Sequence, residues 1–471
     1  MAKIAFIGAG SVVFTKNLLG DILSFPELAG STIRLHDIDP VRLETAEAMA
    51  RWTAQAVGAH PRIESHLERV KALDGADYVI NMIQVGGHQA TLIDFDIPRR
   101  YGLRQTIGDT HGVGGIFRAL RTIPVVLSIA VEMEAHCPGG LLMNYSNPMA
   151  MICWSIYSSS QIPVVGLCHS VQTTTREISR YVGIPHEELA YSSAGINHMA
   201  WLLKLEHDGQ DLYPALRQAY EEKRIPPKDL VRAEILNRLG YYVTESSEHF
   251  AEYGPYFIPY ESHIERFNIP LDEYIRRSEA NLIEFEKTRV KLSNGEPFET
   301  KRSEEYAAQI IHSMETGEPG LFYGNVRNDR LIDNLPEGCC VEVPCVVNKE
   351  GIRPKSIGKL PPHLAALNRQ HIAVQELTIL AALEGKPDHI YHAAMLDPLV
   401  SATLTLEQVW EMVDALIDAH RAALPVSLQR ELSRRARRQN DETHYSYAKH
   451  NHPTTGQHDR FTVATPNSPA N

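Results

Sequence analysis

The stretch from Lys3 to Leu23 constrains the fold more than any other part of the chain. An apolar run, KIAFIG, breaks at Gly8-Ala9-Gly10-Ser11 and gives way to FTKNLLGDIL, where Leu18, Leu19, Ile22 and Leu23 recur at helical spacing. A buried strand, a glycine turn and a helix N-terminus make a cradle for an anion. Glycine lets the backbone approach, and the helix end offers unpaired N–H groups and a favourable dipole. Gly8, Gly10 and Ser11 form the expected cradle, although the run continues as Ser11-Val12-Val13 without a third glycine, so the turn alone is weak evidence for a dinucleotide.

The next strand, STIRLHDID, adds to it by ending in Asp37 and Asp39. A carboxylate that closes the second strand binds the adenosine ribose hydroxyls of NAD and repels the extra phosphate of NADP. Asp37, first off the strand, is the expected ribose ligand, and Asp39 serves equally well as N-cap of the helix VRLETAEAMARWTAQAV. Three more apolar strands, ADYVINMI, LLMNYS and PVVGL, alternate with helical stretches such as 116–136. Strand–helix alternation predicts an α/β fold, a Rossmann-type doubly wound parallel sheet over residues 1–192.

Beyond residue 192 the pattern changes. GINHMAWLLKLEHDG predicts a strand pair entered through Asn197 and His198, residues 320–354 are strand-rich, and amphipathic helices fill 362–423. A second, α+β domain is expected over 193–430, giving a lactate/malate dehydrogenase-like whole, with a polar tail over 431–471 expected to be disordered. A chain of 471 residues needs more than one core. Its formal charge of -12 excludes a nucleic-acid surface and favours small-molecule partners. Cysteines 137, 153, 168, 339, 340 and 345 lack zinc-ribbon spacing, and the last three sit in an apolar strand segment as core residues. With neither a leader-like start nor an apolar run of membrane length, a cytoplasmic setting with reduced thiols and no membrane partner is expected.

Chemistry is expected at three places. Cys168 and His169 follow the strand PVVGL at its carboxyl end, where open α/β sheets bind ligands; on that fragment alone Cys168 reads as a small core residue. GDTHGVGGIFRALRT is a long glycine-rich loop in which Asp109, His111 and Arg118 can face a substrate. The stretch 240–257, dense in Tyr, Glu, Ser and His, suits an active-site wall.

GAGS, LHDID, GDTHGVGGIFRALRT, NYSNPM, GLCHSV, GINHMAW, TESSEHFAEY and YGNV with NLPEGCCVEVPC, in this order, together resemble glycoside hydrolase family 4, in its α-galactosidase branch. The resemblance implies hydrolysis of an α-galactoside by a redox-elimination route: hydride leaves C3 for NAD, a base takes the C2 proton, the aglycone departs, water adds and the hydride returns. It implies Cys168 and His198 as ligands of a divalent metal, usually manganese, a softer pair than manganese prefers. Asn147 would bind substrate hydroxyls near the metal, with Asp109 and Arg118 also facing the sugar. His169 would act as general acid or as a hydroxyl ligand. Tyr241 is the chosen C2 base, with Tyr242, Glu248 and His249 as competitors. A homodimer or homotetramer is implied. Related α-galacturonidase, α-glucuronidase and α-glucosidase activities stay open, and an NAD-dependent 2-hydroxy-acid dehydrogenase is the alternative of another class.

Overall fold

The computed structural model describes residues 1–298, 302–303 and 305–429. The polar tail lies outside them. Strands β1 (Lys3–Ile7), β2 (Thr32–His36), β3 (Arg62–His66), β4 (Tyr78–Asn81), β5 (Leu141–Asn144) and β6 (Val164–Leu167) pair in parallel in the order β3-β2-β1-β4-β5-β6. Strand order reverses between β1 and β4, which opens a crevice at their carboxyl ends.

The inner strands read as largely apolar runs because both faces of the sheet are covered, whereas the edge strand β3, RIESH, is polar and has no fully buried residue. Along β1, Ile4 and Phe6 pack with Leu18, Leu19 and Ile22 of the helix Val12–Leu23, while Ala5 and Ile7 pack on the other face with Val126, Ile129 and Met133 of the helix Gly112–His136. The latter helix is long and apolar enough to cross a membrane, but 78% of its apolar window is buried inside the molecule.

The remaining strands are β7 (Ala190–Ile196), β8 (Met199–His207), β9 (Gln210–Asp211), β10 (Gly320–Arg327), β11 (Cys340–Asn348) and β12 (Gly351–Pro354). They extend the same twelve-stranded sheet as β6-β10-β11-β7-β8-β9, with β12 beside β11, and every pairing in this half is antiparallel. The switch from parallel to antiparallel occurs where Gly324 and Asn325 of β10 pair with Leu167 and Gly166 of β6. Cys339, Cys340 and Cys345 are fully buried here.

Two chain reversals prepare the site. Asn197 and His198 form the two-residue turn between β7 and β8, and His198 adopts a φ of 62°, the left-handed region that a type II turn uses at its second central residue. Residues 104–111, ahead of the helix Gly112–His136, fold into a compact loop. A Cβ on Gly114 would lie 2.3 Å from the Gly108 carbonyl oxygen, so only glycine lets this loop sit down on its helix.

Candidate active site

A cavity of about 910 Å³ opens at the switch point, lined by Gly8, Gly10, Ser11 and Asp37 on one side and by Tyr274 and Phe285 on the other. Gly8 has a φ of +88°. The Gly10 N–H donates to Asp37 Oδ2 at 2.8 Å and the Asp39 N–H to Oδ1 at 3.0 Å, fixing the carboxylate at the cavity wall. Asp39, also on the cavity wall, caps the helix Pro40–Ala56, accepting from the Val41 and Arg42 N–H groups. Arg42 lies 4.3 Å over the Phe285 ring. The volume, the glycine turn and the acid on β2 suit a dinucleotide.

A second centre lies beyond the carboxyl ends of β5 and β6. Ligand atoms of Cys168, His198 and Glu245 all lie within 4.8 Å of one another, as do those of Asp109, His198 and His249. His198 Nδ1 stands 3.1 Å from Thr110 Oγ1 and 3.3 Å from the Tyr253 hydroxyl, leaving Nε2 to face Glu245 at 3.8 Å. Burial lowers His198 to a pKa of about 4 despite Glu245, so the imidazole is neutral and able to ligate. Burial would raise Glu245, yet His198, His249 and His169 hold it at about 2. Burial, with Glu245 and Glu342 nearby, pushes the Cys168 thiol up; a bound cation would have to displace its proton. Neutral imidazole, carboxylate and thiol together suit a divalent ion.

Hydrogen bonds link the two centres. Arg118 donates to the Tyr274 hydroxyl at 2.8 Å and to the Asn147 carbonyl at 3.1 Å, and Asn147 Nδ2 donates to Asp109 Oδ2 at 3.0 Å. Thr110 then donates to Asp109 Oδ1 at 2.8 Å and stands beside His198. Burial would raise the Asp109 carboxyl, but Arg118, His249 and His198 hold it below its ordinary range. Asn147 Oδ1 has no hydrogen-bond partner among the described residues. His169 is half-exposed, with Nδ1 3.4 Å from Glu305 Oε1; the Glu305 interaction outweighs burial and raises it to about 9.

The structure therefore brings Asp109, Arg118, Asn147, Cys168, His169 and His198 together and sets Gly8, Gly10, Ser11 and Asp37 on the neighbouring cavity. Tyr241 does not join them, which corrects its assignment as base. Val243 pairs antiparallel with Trp201, so Tyr241 falls farther along β8 from His198, beside Tyr213 and His363 and on a separate surface cavity. Tyr242 is fully buried and bonded to Asp229, and Glu248 is paired with Arg277. Of the competitors only His249 is at the centre, 4.8 Å from the His198 ring.

Sequence reasoning missed Glu245, Tyr253 and Glu252. Glu252 accepts the N–H groups of Thr106, Ile107 and Gly108 at 2.8 to 3.2 Å and so holds the loop that carries Asp109. No local pattern signals Glu245: it returns beside His198 because Val243 pairs antiparallel with Trp201, a contact between distant segments.

Comparison with known proteins matches residues 3–184 to the Family 4 glycosyl hydrolase and residues 193–400 to the Family 4 glycosyl hydrolase C-terminal domain. An alpha-galactosidase of Bacillus subtilis is 48% identical over 90% of this chain and 99% of its own. An alpha-galactosidase of Rhizobium meliloti is 36% identical, covering 90% of this chain and 89% of its own. The fold matches the 6-phospho-beta glucosidase of Thermotoga maritima, solved with manganese, NAD+ and glucose-6-phosphate, at a TM-score of 0.74 and 22% identity over 89% of this chain and 99% of that one. A doubly wound sheet whose switch-point cavity is tied by hydrogen bonds to a Cys–His centre, matched over both halves of the chain, makes this protein a member of glycosyl hydrolase family 4.

Proposed function

We propose that this enzyme hydrolyses α-galactosides with NAD and a divalent cation, manganese before others. The observation that carries the reading is the hydrogen-bonded path from Tyr274 on the cavity wall through Arg118, Asn147 and Asp109 to Thr110 and His198. It joins the residues that would hold a dinucleotide to those that would hold a cation, the two groups that redox elimination needs. The 48% identical alpha-galactosidase supports the choice of sugar.

Gly8, Gly10 and Ser11 would cradle the pyrophosphate and Asp37 would take the ribose hydroxyls, while Cys168 and His198 would hold the cation. Bound there, NAD+ supplies a hydride acceptor and the cation a Lewis acid, whose charge also lowers the proton affinity of a nearby phenol. Asn147 and Asp109 orient sugar hydroxyls through the free Asn147 Oδ1 and the Asp109 carboxylate. His169, held protonated by Glu305, donates its proton to the leaving oxygen. Tyr253, whose hydroxyl stands 3.3 Å from His198 Nδ1, takes the C2 proton in the role first given to Tyr241.

Residues 1–192 then serve cofactor binding, and residues 193–430 serve the cation, the sugar and association into a homodimer or homotetramer. The setting is the cytoplasm, in keeping with six free cysteines.

Nitrophenyl α-galactoside, α-glucoside and α-galacturonide, each assayed with NAD, Mn2+ and a thiol reductant, test the reading. The galactoside is expected to be cleaved fastest, and cleavage to fall at least a hundredfold after EDTA treatment or removal of NAD. Undiminished cleavage without either would overturn it, and net NADH accumulation with a 2-hydroxy acid would favour a dehydrogenase instead.

A further inference from the structure

We infer that Glu245 is a third protein ligand of the cation held by Cys168 and His198, so that the centre is a Cys–His–Glu site. The inference rests on the proposed function only in taking the cation to bind there. Glu245 Oε2 lies 3.8 Å from His198 Nε2, and Oε1 lies 3.7 Å from His249 Nδ1. Both separations exceed a hydrogen bond. The first matches the spacing of two donors bound to one ion, since atoms each about 2.2 Å from a common centre stand about 3 to 4 Å apart; His249, whose Nδ1 stands 2.7 Å from Ser246 Oγ, remains beside the set. Cys168 Sγ completes a set of donors within 4.8 Å.

The backbone is arranged to hold the carboxylate there. Glu245 adopts a φ of 71°, a conformation that is strained for a residue with a Cβ and persists only where the surroundings enforce it. The enforcement is visible: the Glu245 carbonyl oxygen accepts from the buried Arg232 guanidinium, itself locked to Asp229, and from Thr174 Oγ1 at 3.4 Å. The hairpin explains the same conformation at His198, but no hairpin turn contains Glu245.

The donor chemistry agrees. A thiolate and an imidazole alone favour softer ions, whereas a carboxylate oxygen moves the set toward manganese and magnesium. Thiolate and carboxylate together also cancel the charge of a dication, which a Cys–His pair leaves half-balanced. Such a centre holds its ion before the sugar arrives.

Mn2+ titrations of the full-length chain, followed by the electron paramagnetic resonance signal of the free aqueous ion, test this without turnover. Wild type is expected to bind one ion with no sugar present. Glu245→Gln is expected to weaken Mn2+ binding at least tenfold while weakening Co2+ binding less, because the softer ion depends less on the oxygen. Glu245→Asp, which keeps a carboxylate on a shorter stem, is expected to fall between the two and answers the question if the amide disturbs folding. Unchanged Mn2+ affinity in both variants, with binding lost in Cys168→Ser, would overturn the ligand assignment and leave the Cys–His centre standing. No Mn2+ or Co2+ binding by wild type would overturn the cation reading itself.

Discussion

Glu342 sits fully buried near Cys168 and Glu245, with Oε1 accepting from Asn325 Nδ2 at 3.3 Å and Oε2 without a partner among the described residues. Burial pushes its carboxyl up to about 8. The folded state therefore holds a proton that the unfolded chain releases near pH 4.5, and stability falls as pH rises from there through about 8. The loss is on the order of several kcal/mol. Glu342→Gln keeps the acceptor for Asn325 and removes the titration. It is expected to melt above wild type by a margin that grows between pH 5 and pH 8, measured by thermal unfolding in a pH series; a margin independent of pH would overturn the assignment. At this scale the sequence was partly legible. Asp37, Asn147, Cys168 and His198 stand at strand ends or in a tight turn, positions that local pattern marks. Glu245, Tyr253 and Glu342 owe their positions to pairings between distant segments, which no local pattern marks.

Among the elements, the first strand, turn and helix carry the cofactor cavity. A Cβ on Gly10 would meet Asp37 Oδ2 at 2.5 Å and Arg42 Cβ at 2.7 Å, so any side chain there must drive the carboxylate from the wall. Gly10→Ala is expected to weaken NAD binding at least tenfold in a fluorescence titration while leaving Mn2+ binding unchanged. Equal NAD affinity would mean that the turn does not hold the dinucleotide. Five strands of the parallel half were legible because each is a short, largely apolar run bounded by glycine, proline or polar residues; the edge strand β3, RIESH, is polar and at most partly buried and left no such trace. The hairpin at Asn197-His198 was legible for a related reason: two apolar runs flank two polar residues. The stretch 240–253 was not. Val243 makes a single bridge to Trp201 before a short helix, Ser247–Glu252, too little regular structure to leave a periodic trace.

For the molecule as a whole, the sequence suggested two domains, and its change of pattern near residue 192 does follow the change from parallel to antiparallel strands. The sheet nevertheless runs unbroken from β3 to β9. The joint between β6 and β10 is closely packed: a Cβ on Gly166 would lie 2.5 Å from Met149 Sδ and 2.9 Å from Asn325 Cβ. Cutting the chain there would bare a strand edge in the middle of a core. Scanning calorimetry of the chain without ligands is accordingly expected to give one transition, with the calorimetric and van't Hoff enthalpies equal; two separable transitions would overturn this cooperativity.

The unbroken sheet also bears on the cofactor cavity. The wall opposite the glycine turn is not a second body but one mostly exposed helix, Glu273–Ser293, whose buried residues are Phe285 and Thr288. That helix carries Tyr274, to which Arg118 is tethered. One side chain of the cofactor wall thus anchors the hydrogen-bonded chain that runs to Asn147 and Asp109, so a displacement of that helix is expected to be felt at both residues.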